Sequence, residues 1–123
     1  MPISHTIEGR VVHLAWSGVI TNADLAAIGA LMPRLVKELG FVPHVLNTYD
    51  GVIGADLDPD AIYAQSMQRR QHPIPPQAKS ALVAATPVVL SMARVFQAMN
   101  RDPCLQMEIF SSEAEARAWL AEW

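Results

Sequence analysis

The sequence predicts an α/β domain: a mixed, mostly parallel sheet of about five strands, with an N-terminal antiparallel hairpin and about four helices. Three observations predict it. Stretches with a period of two alternate with stretches with a period near 3.6, the pattern of crossover units that build parallel sheets. The first sixteen residues alternate on either side of a turn-competent pair, the pattern of a hairpin. The last third reads as strand, helix, strand, helix: KSALVAAT, PVVLSMARVFQAMN, PCLQMEIF and SSEAEARAWL, with helix starts marked at Thr86-Pro87 and Ser111-Ser112.

Taken in order, the hairpin runs from Ile3 to Trp16 around Glu8-Gly9. The period of two puts Ile3, Ile7, Val12, Leu14 and Trp16 on the expected core face, and His5 falls with them. Ser4, Thr6, Val11, His13 and Ala15 take the other face. Gly18 to Ile20 then leads out of the hairpin, and Thr21 with Asp24 forms a capping box that opens a helix. Leu25, Ile28, Leu31, Met32, Leu35, Val36 and Leu39 make its apolar stripe, and Gly40 stands where a left-handed C-terminal cap belongs. Pro33 lies inside it and predicts a kink or break near Gly29 to Pro33, because proline removes one backbone bond and clashes with the preceding turn.

HVLNTYD follows as a short buried strand ending at Asp50, and GVIGADLDPD as a loop. Asp58 as N-cap and Pro59 at the first helical position open a second helix to about Arg70. Gln71-His72-Pro73-Ile74-Pro75-Pro76 is an extended connector into the last third.

With 123 residues, the chain is expected to be one domain, residues 1–123, able to bury roughly two-thirds of its unfolded surface. It is 51% hydrophobic and 17% charged, on the apolar side for a soluble domain, which predicts well-filled helix faces or a subunit interface. A net charge of -3, with basic residues scattered except for Arg69-Arg70, gives no footprint for nucleic acid. MPISHTIEGR lacks the layout of a signal peptide, no apolar run is long enough to span a bilayer, and a cytoplasmic location is expected. The one cysteine, Cys104, allows no intramolecular disulfide and reads as a small buried hydrophobe.

No catalytic constellation is legible. Asp56, Asp58 and Asp60 have an Asp-x-Asp-x-Asp spacing, but a calcium loop begun at Asp56 would need glycine and glutamate where Ala61 and Met67 stand. Capping and the helix dipole account for Asp58 and Asp60. His5, His13, His44 and His72 show no zinc spacing, and Gly51 and Gly54 make no phosphate loop. No catalytic residue, metal or cofactor is therefore expected. The helix Val88, Val89, Met92, Val95, Phe96 and Met99 is apolar around much of its circumference, more than one core stripe requires.

The residues KSALVAATPVVLSMARVFQAMN and EIFSSEAEARAWL resemble the C-terminal signature of the SpoIIAA-like family, small bacterial domains of the STAS class. Over nearly the whole chain the same order recurs: a hairpin ending in Trp16-Ser17-Gly18, a helix opening at Thr21 and a strand ending at Asp50. In the last motif Phe110 ends the final strand, and Ala116, Trp119 and Leu120 dock its helix. The resemblance implies an anti-anti-sigma-factor-like fold, related to the CRAL-TRIO lipid-transfer class, and a partner-binding role. The family's phosphorylated serine follows the third strand. Here Asp50 to Asp60 holds no serine or threonine, and Thr48 is the nearest hydroxyl.

The function expected is thus a non-enzymatic STAS-like regulatory or interaction module with a protein partner or self-association. The alternatives are a carrier of a small apolar or lipid-like ligand and, third, an enzyme of unknown type. The expected ligand or partner surface comprises Asp50, Asp56, Asp58, Thr86, Met92, Phe96 and His72.

Overall fold

The computed structural model describes residues 3–56, 58, 60, 78–99 and 105–122. In these the chain runs β1 (Ile3–Glu8), β2 (Val11–Thr21), α1 (Asn22–Leu39), β3 (His44–Asp56), β4 (Ala78–Val83), α2 (Pro87–Met99), β5 (Leu105–Phe110) and α3 (Glu113–Leu120). The five strands form one sheet in sequence order; β1 and β2 are antiparallel and the other pairs parallel. The expected second helix, from Asp58 to about Arg70, lies outside the described residues apart from Asp58 and Asp60.

Alternation along the central strands fills both faces. Val12, Leu14 and Trp16 of β2, Tyr49 of β3 and Leu82 of β4 pack with Leu25, Ile28 and Leu35 of α1 and Val89, Met92 and Ala93 of α2. On the other face Leu46, Ala81 and Val83 pack with Ala116 and Leu120 of α3, and Phe110 and Trp119 border this cluster. Strands buried on both faces read as apolar runs rather than clean alternation, as HVLNTY and KSALVA do.

Four expectations change. The hairpin turn is Gly9-Arg10, not Glu8-Gly9, because Gly9 takes the left-handed φ of 62° and Glu8 pairs with Val11. His5 shares the face of Leu14, its cross-strand partner, as expected, but β1 is an edge strand on which both His5 and Ile7 are exposed rather than core. Helix α1 runs unbroken through Pro33, held by buried Leu25 and Ile28 before it and Leu35 after it. Its ends match expectation: the carboxylate of Asp24 accepts the Thr21 N–H at 2.8 Å, and Gly40 closes it at φ 78°.

The largest change is in β2 and β3. β2 does not leave the sheet at Gly18 but continues to Thr21, and β3 does not end at Asp50 but continues to Asp56. These extensions pair with each other beyond Trp16, the last β2 residue opposite β1, and beyond Thr48, the last β3 residue opposite β4. Gly51 and Gly54 are therefore sheet residues. A Cβ on Gly51 would come within 2.9 Å of Ser17 Cβ, so glycine is what lets the two backbones approach.

Candidate functional site

Because β2 to β5 are parallel, their C-terminal ends share one edge of the sheet, where ligands and partners of open α/β domains are usually met. All three described helices start there, and each start is filled by its own chain. Asp24 serves Thr21 at α1, Thr86 Oγ1 accepts the Val89 N–H at 3.3 Å at α2, and Ser112 Oγ accepts the Glu115 N–H at 3.2 Å at α3.

Four of the expected surface residues are exposed at or near this edge. Asp56 ends β3 opposite Thr21. Asp58 donates its N–H to Asn22 Oδ1 at 3.0 Å and accepts the Asp60 N–H on its own Oδ1 at 3.0 Å, as an N-cap does. Thr86 lies beyond the end of β4. Asp50 is within β3, two residues past Thr48. Two others point elsewhere: Met92 is buried in the larger cluster, and Phe96 is half-buried against it. His72, the connector, Arg69-Arg70 and Cys104 lie outside the described residues.

The feature that sequence reasoning missed is the β2–β3 ribbon itself. Ile53 at its centre is 79% exposed and Val19 beside it 45%. Their apolar character was visible, but their exposure follows from a pairing that no local signal announces.

A second polar group lies on the α3 side of the sheet. His13 Nε2 and Thr48 Oγ1 are 2.8 Å apart, and His13 Nδ1 is 3.6 Å from Glu8 Oε2. Arg117 reaches the same Glu8 oxygen at 3.3 Å and Glu113 at 2.8 Å, and the hydrogen bond to Glu113 above all holds its guanidinium protonated. The arrangement superficially suggests a nucleophile, base and carboxylate, but the Thr48 hydroxyl is buried. What the chain of contacts does is tie β1, β2, β3 and α3 together. The alternation that put Val11 and His13 on one face was its sequence signal.

Near the start of the parallel strands, His44 Nδ1 accepts the Lys79 N–H at 3.1 Å. Burial, then Lys79 and Arg10, push the imidazole below its ordinary value. The buried Lys79 ammonium donates to Trp119 O at 2.9 Å and lies 4.8 Å from the Trp119 ring. Inside the larger cluster, the Tyr49 hydroxyl makes no hydrogen bond among the described residues, and burial pushes its ionisation far up. No three His, Cys, Asp or Glu side chains among the described residues converge on a metal-sized site. No described helix is long and apolar enough to cross a membrane.

No family model and no curated protein matches the chain. Among solved structures it is similar to an uncharacterised protein of the DUF3478 family with a SpoIIAA-like fold from Shewanella loihica PV-4. The two share 14% identity over 96% of this chain and 91% of that chain, with a TM-score of 0.58. A structure of Mglu aligns with 89% of this chain and 19% of that chain at 18% identity, with a TM-score of 0.39.

Proposed function

We propose, from a fold that is SpoIIAA-like, that the chain is a non-enzymatic STAS-like interaction module that binds a protein partner at the C-terminal edge of its sheet. The observation that supports this reading is the exposure of Ile53 on the ribbon, next to the exposed Asp50, Asp56 and Asp58. Val88 and Val95, two turns apart and both exposed on α2, support self-association as its companion. The test is affinity capture from the source cell, with sedimentation velocity of the pure chain. A pure sample that turns over a small substrate, and loses that activity in Asp50→Asn, would defeat the reading.

One observation favours a second reading, a carrier of a small apolar ligand. The Tyr49 hydroxyl, buried and without a hydrogen bond among the described residues, costs about 1–3 kcal/mol, which a bound acceptor would offset. Native mass spectrometry of protein purified from its own cell tests this. A retained ligand of defined mass, lost in Tyr49→Phe, supports the carrier; its repeated absence counts against it.

A further inference from the structure

We propose that the β2–β3 ribbon is a docking prong, with Ile53 as its anchor, for a partner protein that presents an apolar pocket rimmed by lysine or arginine. This rests on the interaction reading and names the surface and the partner's chemistry. Between the pairs Ala15–Thr48 and Thr21–Asp56, six residue steps on β2 face eight on β3. β3 therefore carries two extra residues, one in each register shift. The second shift lies between Gly18–Val52 and Val19–Gly54, which leaves Ile53 with no partner on β2. An extra residue of this kind bends the strand and re-aims a side chain. Here it turns out the most exposed of the large apolar side chains among the described residues.

A single exposed aliphatic is ordinary, and charges and bulges at a strand edge ordinarily serve to prevent strand addition. That protective reading explains Asp50, Asp56 and the two bulges. It does not explain isoleucine at the unpaired bulge position, 79% exposed, where any polar residue would protect better. Since the bulges spoil the edge as a template for another strand, the occupant grips side chains.

Charge selects that occupant. Residues 17–22 and 50–60 contain no lysine, arginine or histidine, while Asp50, Asp56, Asp58 and Asp60 are all exposed. A second copy docked symmetrically here would oppose these carboxylates to their own images, and an anionic membrane would meet the same repulsion. A cationic rim around an apolar pocket satisfies both features at once.

The experiment places the photo-reactive residue p-benzoylphenylalanine at Ala55, beside the anchor, or at Val88 on α2, in the full chain expressed in its source cell. The partner cross-linked from Ala55 is then purified, and its affinity for wild type, Ile53→Ser and Asp50→Asn/Asp56→Asn is measured at two salt concentrations. Ile53→Ser is expected to weaken binding at least about tenfold with an unchanged melting curve, since the side chain is outside the core. The double variant is expected to weaken binding and flatten its salt dependence. Cross-links from Ala55 to a second copy or to lipid, or an affinity indifferent to Ile53→Ser, overturn the proposal. So does a partner whose salt dependence the double variant leaves intact. Cross-links from Val88 alone overturn the prong while the interaction reading stands; none from either position removes both.

Discussion

Ser17 and Gly51 are paired immediately after the first β2–β3 register shift, so closely that a methyl group on Gly51 would stand 2.9 Å from Ser17 Cβ. Neither atom is the far end of a flexible chain, so relief requires backbone movement. Gly51→Ala is expected to destabilise the domain by about 1–3 kcal/mol. Ser17→Gly in the same chain should recover part of that loss. Urea unfolding of the two single variants and the pair checks it, and additive effects would show that the contact is not the cause.

That contact also explains which parts of the fold could be read from the sequence. The caps at Thr21, Gly40 and Ser112 depend on residues within four positions of one another, and all three stand where local chemistry placed them. The length of β3 does not have that character. GVIGAD looks like a loop by itself because glycine usually punctuates chains, and it becomes strand only by pairing with Ser17 to Thr21, more than thirty positions away. The exposure of Ile53 inherits the same non-local origin. The acidic half of the candidate surface was legible and its apolar centre was not.

Asn47 is the polar hub of the larger face. Its side-chain oxygen accepts the Trp16 indole N–H at 3.2 Å, and its amide nitrogen donates to Ser80 Oγ at 3.2 Å and Ala81 O at 3.1 Å. Asn47→Ala would strand three buried groups on the two strands that flank β3, one on β2 and two on β4, at an expected cost of about 2–4 kcal/mol. Chemical denaturation measures the loss. Asn47→Asp, which keeps the acceptor for Trp16 but removes the donor, should also destabilise at neutral pH.

Pro33 is exposed within an unbroken α1 and offers no N–H to the helix. Pro33→Ala restores that donor without touching the core, so it should stabilise the domain, by up to about 3 kcal/mol. A raised melting temperature in thermal unfolding is the expected result. An unchanged or lower one would mean that the proline's restriction of the unfolded chain outweighs the missing bond.

His44 gives the fold a pH dependence with a definite sign. Its imidazole titrates below its ordinary value of 6.5 in the folded chain, first because it is desolvated and then because Lys79 and Arg10 repel a second positive charge. A histidine with a depressed folded pKa binds protons more readily when unfolded. Its contribution to stability is therefore complete above about pH 6.5 and declines as pH falls through the folded value. The mechanism is local: protonation takes from Nδ1 the lone pair that accepts the Lys79 N–H, one link between the starts of β3 and β4. His44→Asn keeps an acceptor of similar reach and removes the titration. Urea midpoints at pH 7.5 and pH 5.5 should therefore differ less in His44→Asn than in wild type.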